Sequence, residues 1–389
     1  MSGTDDWAQL PDLADRRVGG SVISANDEFF AERENLIKSA DPVFRPYTFT
    51  NKGQEYDGWE TRRRRRDPGD HDWAIVRLGL PGVPAAVVVD TAFFTGNFPP
   101  FAQVEGAGLE GYPEAVDLAN AVWEPIVPRS PLAGDTRNVF EVAESRRFTH
   151  VRLRIFPDGG VARLRVHGRP VADPRWLADL PFDLAALANG GRVVRCSNWF
   201  YSPPNNMLQP GESLFMSDGW ESARRRDADH DWAVVRLAAA STPRVVEVDT
   251  AHYKGNSPDR VSVSGIDAST AELDDESAWW PVLPETRLSP DTAHRFRVST
   301  DRPVTHVRLD VFPDGGIGRL RVYGPPTAAG RHDLAAGWFG ALPAGQALSV
   351  LTRDCGVDSR TAAQLVAARP AVPTELLETL ETLWASAVH

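Results

Sequence analysis

Cysteine is nearly absent. Cys196 and Cys355 are the only two in 389 residues, with no C-x-x-C spacing. A disulfide framework is thereby excluded, and a reducing, cytoplasmic setting is expected. Lysine is almost as scarce: only Lys38, Lys52 and Lys254 occur, against abundant arginine. No run of 18 apolar residues exists, so no segment is expected to span a membrane. The opening residues carry Asp5, Asp6, Asp12 and Asp15 and lack the apolar stretch of a signal peptide. A net charge of -11 argues against nucleic-acid or anionic-membrane partners. No P-loop, G-x-G-x-x-G or G-x-S-x-G pattern appears, so neither a nucleotide cofactor nor a serine hydrolase is indicated. Nine histidines are scattered singly, and no metal is expected. The acidic run Asp274-Asp275-Glu276 reads as a solvated loop before a cation site.

What is present is a duplication. Asp57-Gly58-Trp59-Glu60, an arginine run and His71-Asp72-Trp73-Ala74 return as Asp218-Gly219-Trp220-Glu221, an arginine run and His230-Asp231-Trp232-Ala233. Val89-Asp90-Thr91-Ala92 returns as Val248-Asp249-Thr250-Ala251, each followed by Gly-Asn. Phe156-Pro157-Asp158-Gly159-Gly160 returns as Phe312-Pro313-Asp314-Gly315-Gly316. The offset shortens along the chain, as small loop deletions produce. A period of about 160 residues is domain-sized, far above the roughly 20–50 of a solenoid.

Each copy reads as β-rich. Ala74–Leu78, Ala85–Thr91, His150–Phe156 and Val161–His167 are short, apolar or alternating, and bounded by Gly, Pro and Asp. Strand, Pro157-Asp158-Gly159-Gly160, strand predicts a β-hairpin, with a twin at 307–323. Many short strands without long helices between them predict a mainly β fold: tandem jelly-roll β-sandwiches. The expected division is an N-terminal segment 1–19, repeat one 20–168, a linker 169–191 helical near 182–189, repeat two 192–324, and a helical tail 325–389. Asp358-Ser359 and Pro373-Thr374 are helix-start signals. Leu376, Leu377, Leu380, Leu383 and Trp384 form an apolar stripe.

These motifs, with Leu10-Pro11-Asp12-Leu13-Ala14, Gly19-Gly20 and Asp27-Glu28-Phe29-Phe30-Ala31, resemble the allantoicase family over about residues 10–324. The resemblance implies hydrolysis of allantoate to ureidoglycolate and urea, galactose-binding-like jelly-roll repeats, and a homo-oligomer. The tail, through Cys355-Gly356, Ala367-Ala368-Arg369-Pro370 and Leu376-Leu377, is similar to the opening helices of ureidoimidazoline decarboxylases. It stops before their catalytic motifs, so no decarboxylase activity is expected. The alternative to an enzyme is a non-catalytic duplicated module that binds sugars or ureides.

Allantoate carries one carboxylate and two ureido groups on one carbon. Its site needs a cation, amide partners and a proton-transfer group; Arg suits the first, and Asp, Glu and His the last. The copies differ where Phe93-Phe94-Thr95 becomes His252-Tyr253-Lys254, which favours the second copy. His252, Asp249, His230 and Glu221 are therefore the catalytic candidates, with Lys254, Asn256 and Arg225 for substrate. Glu60, His71, Asp90 and Asn97 are their repeat-one counterparts. For each a structural reading also stands. Asp90 and Asp249 tie a loop to a strand, or act as bases. His71 and His230 are turn residues, or proton carriers. Asn97 and Asn256 are turn residues, or ureido partners. The arginine run Arg62 to Arg66 supplies one or two working arginines and otherwise faces solvent. Trp59, Trp73, Trp220 and Trp232 read as core before pocket wall.

Overall fold

The computed structural model describes residues 7–64, 70–177 and 180–386. Arg65 and Arg66 of the arginine run, and the Leu383 and Trp384 side chains, lie outside the described residues. The chain forms two compact units: Met1–Val171 with Ala341–Val366, and Ala172–Gly340 with Ala367–His389.

In the first unit the strands are β1 (Ser21–Ala25), β2 (Phe49–Thr50), β3 (Gly53–Gln54), β4 (Trp59–Glu60), β5 (Asp72–Asp90), β6 (Phe101–Ala107), β7 (Glu124–Pro131), β8 (Arg137–Glu141), β9 (Phe148–Phe156), β10 (Gly160–Val161) and β11 (Arg163–Pro170). One sheet runs β1-β5-β9-β6-β7. The far half of β5 pairs with β8 and β11 and forms the second layer. β5 thus changes layer, with a register break between Arg77 and Gly82. Pro81 and Pro84 sit near that break, where a missing N–H costs least. The stretches Ala74–Leu78 and Ala85–Thr91, read as separate strands, fall on this one element.

The second unit repeats the plan. Its strands are β12 (Phe182–Asp183), β13 (Arg192–Cys196), β14 (Trp220–Glu221), β15 (Asp231–Ser241), β16 (Val245–Asp249), β17 (Arg260–Ile266), β18 (Trp280–Arg287), β19 (Ala293–Arg297), β20 (Val304–Phe312), β21 (Gly316–Ile317) and β22 (Arg319–Gly324). The layers are β13-β15-β20-β17-β18 and β12-β22-β16-β19. Here Thr242-Pro243-Arg244 splits what β5 keeps continuous. Alternation places Val246, Val248, Leu320 and Val322 in the core, as half-buried strands require.

Two local expectations need correction. The Pro-Asp-Gly-Gly segment does not close a hairpin: β9 pairs with β5 and β6, whereas β11 pairs with the other half of β5. The segment is an arch between layers. Its glycine N–H groups bond Thr61 Oγ1 (3.2 Å) and the Asn97 carbonyl (2.7 Å), and Gly160–Val161 pairs with β4 rather than with β9. Residues 182–189 are not a helix. Phe182 and Asp183 pair with β22, and a single 3-10 turn follows at Leu187–Asn189. Burial of Phe182, Leu184 and Leu187 outweighs the local helical pattern.

The tail is helical: α1 (Ala115–Asn120) lies within the first repeat, and α2 (Ala328–Ala341), α3 (Ala344–Ser349), α4 (Ser359–Ala367) and α5 (Thr374–Ser386) follow the second. Asp358 Oδ1 accepts from the N–H groups of Arg360 and Thr361, both 3.1 Å, and caps α4. No helix among the described residues is long and apolar enough to cross a membrane.

Candidate active site

The short strand after Asp-Gly positions the first functional side chains. Trp59 and Trp220 are fully buried, and their indole N–H groups donate to Asp27 O (2.7 Å) and Asn198 O (2.9 Å). That anchor turns the next side chain, Glu60 or Glu221, towards the Gly-Asn loop. Asn97 Nδ2 donates to Glu60 Oε1 at 2.7 Å, and Asn256 Nδ2 donates to Glu221 Oε1 at 2.6 Å. The arch closes the same corner: Gly160 and Gly316 donate to the Asn97 and Asn256 carbonyls. Burial pushes the Glu60 carboxyl above its ordinary range, against the opposing effect of Asn97. Exposed aromatic pairs adjoin both corners. Phe29 and Phe30 meet edge-on at 5.1 Å, and Phe200 and Tyr201 at 4.8 Å. Phe30 and Tyr201 donate backbone bonds to Glu60 and Glu221.

The histidine rings pack at a tilt against the phenylalanine before each arch, His71 against Phe156 and His230 against Phe312. Their surroundings differ. His230 Nε2 lies 2.9 Å from Asp310 Oδ1, and Asp310 also accepts from Arg308. The matching residue in repeat one is Arg154, which with burial as the larger cause pushes His71 below its ordinary pKa. Arg225 bonds the buried Asp231 at 2.9 Å, and Arg64 makes the matching pair with Asp72. Arg64 is therefore the counterpart of Arg225, and both also donate their backbone N–H to the arch aspartate.

Asp90 and Asp249 end β5 and β16 and accept from the Ala92 and Ala251 N–H groups, both at 2.8 Å. Each carboxylate holds its own turn. His252 adopts a positive φ of 73°, as Phe93 does at 68°. Its N–H bonds Asp291 and its Nε2 reaches Ser213 O at 2.8 Å. Lys254 is 78 % exposed, 3.5 Å from Asp291. The structure thus brings Glu221 to Asn256 and Glu60 to Asn97. His252 and Lys254 share Asp291, and His230 and Arg225 meet the arch at Phe312 and Asp314. Among the described residues, no cluster of three His, Cys, Asp or Glu is arranged to hold a metal ion.

The contrast between Phe93-Phe94 and His252-Tyr253 has a packing cause that sequence reasoning missed. Repeat one is ten residues longer between Asn35 and Asp57 than repeat two is between Asn206 and Asp218, and the extra length falls within 43–56. Phe44 stacks on Phe93 at 5.7 Å, and Tyr56 on Phe94 at 5.0 Å. Without the insertion, His252 and Tyr253 bond backbone carbonyls, Tyr253 that of Met216 at 2.5 Å. The signal was the longer spacing from Asn35 to Asp57 than from Asn206 to Asp218.

The whole arrangement has close relatives. A model of the allantoicase repeat matches residues 11–171 and 182–327. A probable allantoicase of Streptomyces coelicolor is 50% identical over 341 residues, covering 85% of this chain and 89% of that protein. The allantoicase of Dictyostelium discoideum is 42% identical over 325 residues, 81% of this chain and 87% of that one. The crystal structure of allantoicase from Saccharomyces cerevisiae superposes with a TM-score of 0.66 at 34% identity, over 81% of this chain and 93% of that chain. With two matched repeats, this identity and this shared fold, the chain belongs to the allantoicase family.

Proposed function

We propose that allantoate is hydrolysed at the Glu60–Asn97 corner of repeat one, with Glu60 acting first as acid and then as base. The chain is a hydrolase of the allantoicase family and acts on allantoate in purine degradation. The products, ureidoglycolate and urea, define the bond. The C–N bond from the central carbon to one ureido nitrogen breaks, and a water oxygen replaces that nitrogen. A neutral Glu60 carboxyl gives its proton to the departing nitrogen, while the remaining ureido nitrogen supports the electron-poor carbon. The carboxylate then takes a proton from the attacking water, and the acid is regenerated. Such proton transfer contributes about 10²–10⁴ in rate.

The observation that carries this reading is the state of Glu60. It is half-buried, held by Asn97 through one oxygen, and shifted towards the neutral form an acid needs. The His230–Asp310 pair supports a second reading, a base oriented by a carboxylate in repeat two. The test is urea release from allantoate by the purified chain at pH 6–9, against a heat-killed control. Glu60→Gln and His230→Asn are assayed separately. Loss only in the former supports the first reading, and loss only in the latter replaces it. The unpaired Cys196 and Cys355 suit a cytoplasmic setting. Assembly into a homo-oligomer accords with the exposed Phe200 and Tyr201, and light scattering during gel filtration measures it.

A further inference from the structure

The scarcest side chain is not distributed evenly. Of three lysines in the chain, Lys38 and Lys52 line a single cavity of about 590 Å³ in the first unit, and Arg45 joins them. That volume lies within the roughly 300–1,000 Å³ of small-molecule sites. The cavity is walled by the loop 43–56, which carries the ten extra residues of repeat one. Its β2–β3 hairpin is a built element. Gln54 Nε2 donates to Arg45 O (3.0 Å) and Thr48 O (2.9 Å), and Glu55 N donates to Thr48 O at 2.8 Å. The aromatic stack through Phe44 and Tyr56 seats the hairpin on Phe93 and Phe94.

The charges inside are only partly matched. Lys38 pairs with Asp57 at 2.9 Å, and Asp57 also accepts from the buried Arg163 at 2.7 Å. Among the described residues, the Arg45 guanidinium and the Lys52 ammonium have no ion-pair or hydrogen-bond partner. The lining balances Lys38, Arg45 and Lys52 against Glu32, Glu55 and Asp57, and Arg45 and Lys52 are the two cations in it left to meet a small anion. The same wall offers Glu55 and Asn51, whose oxygens accept from ureido N–H groups, while the Asn51 amide donates to a ureido carbonyl. The cavity also borders the catalytic strand. Ala31, one of its lining residues, exchanges both backbone hydrogen bonds with Glu60, each 3.2 Å.

We infer that this cavity, walled by the longer repeat-one loop, binds the allantoate carboxylate through Arg45 and Lys52, so that repeat one is the substrate-binding copy. The inference rests on the hydrolase reading above and deepens it. The charged His252-Tyr253-Lys254 segment of repeat two is then a loop clasp, and the greasy Phe93-Phe94 segment is the seat of the binding hairpin.

The test is steady-state urea release by the full chain carrying R45A/K52A. KM for allantoate is expected to rise by about tenfold or more while kcat stays within about twofold, the pattern of lost ground-state binding. The melting temperature is expected to stay unchanged, because both side chains are exposed and unpaired. R45K/K52R is expected to recover most of the affinity, and K254A to leave KM unchanged. An active parent whose KM is untouched by R45A/K52A overturns the cavity and leaves the hydrolase reading standing. A parent that releases no urea overturns the hydrolase reading. Calorimetric titration of allantoate into E60Q then judges the cavity by itself. Saturable heat that disappears in E60Q/R45A/K52A supports it, and heat absent from E60Q, or unchanged in the triple variant, overturns it.

Discussion

Asn97 holds one oxygen of Glu60 at 2.7 Å, on a strand whose partner Ala31 lines the repeat-one cavity. The bond stabilises the ionised carboxylate, whereas burial stabilises the neutral acid, and burial wins. Removing Asn97 leaves burial unopposed. Asn97→Ala is therefore expected to move the alkaline limb of the pH–kcat/KM profile, where the protonated Glu60 is lost, to higher pH, as measured by urea release across pH 5–9. An unmoved limb would separate Glu60 from the titration that governs catalysis.

Replacing the acid itself is a different experiment. Glu60→Gln keeps the size and the Asn97 contact but cannot transfer a proton. Its kcat is expected to fall by about 10²–10⁴ with folding intact by circular dichroism. Glu221→Gln, in the copy without the insertion, is expected to retain most of the activity. Equal losses in both would mean two working corners.

Two matched ion pairs differ in burial, and their loss should differ accordingly. Asp218 is 0% exposed opposite Arg319, whereas Asp57 is 23% exposed opposite Arg163. Asp218→Ala leaves a guanidinium buried without its carboxylate and is expected to cost about 3–5 kcal/mol. At Asp57→Ala water reaches the site, so the cost is smaller. Urea denaturation of each variant, read at its midpoint, checks the order.

Buried histidines set an acid limit on stability. Burial pushes both His150 and His306 down to about 4, with the nearby arginines, Arg77 for His150 and chiefly Arg236 for His306, adding to it. The unfolded chain takes up these protons near pH 6.5, the folded chain only near 4. Their contribution is whole above 6.5 and is lost as pH falls towards 4. The drop in melting temperature between pH 6.5 and 4.5 is expected to shrink in the double variant His150→Gln/His306→Gln. A drop of the same size would show that other groups govern it.

A Cβ at Gly316 would lie 1.9 Å from the Tyr253 ring, and one at Gly160 would lie 2.0 Å from that of Phe94. Either alanine must displace a fully packed aromatic. Each is expected to destabilise by at least about 1–3 kcal/mol by overpacking. For Gly316→Ala the Tyr253 bond to Met216 O is lost as well. Thermal melts of the two variants measure this.

Much of the fold was legible because its signals are local. Alternation in Val151–Ile155 and Val161–Val166 marks strands whatever they pair with, and Asp358 caps its helix through neighbours two and three positions on. The Glu and Asn of the candidate site were also visible, since each recurs in both copies. Pairing was not legible. A Pro-Asp-Gly-Gly segment serves a hairpin or an arch equally well, and only the distant partners Thr61 and Asn97 select the arch. The His252 and Lys254 contrast was visible as well, but its cause lies in Phe44 and Tyr56, some forty residues upstream of the phenylalanines they cover.

The amino-acid order alone determined the doubling, the β-rich character, the helical tail and the family, because these are written in neighbouring residues and their repetition. Tertiary structure decided which layer each strand joins, what holds each charged group, and that two scattered lysines and an arginine face one hollow. Those outcomes depend on contacts between residues far apart in the chain, and a contact of that kind exists only once the backbone has closed on itself.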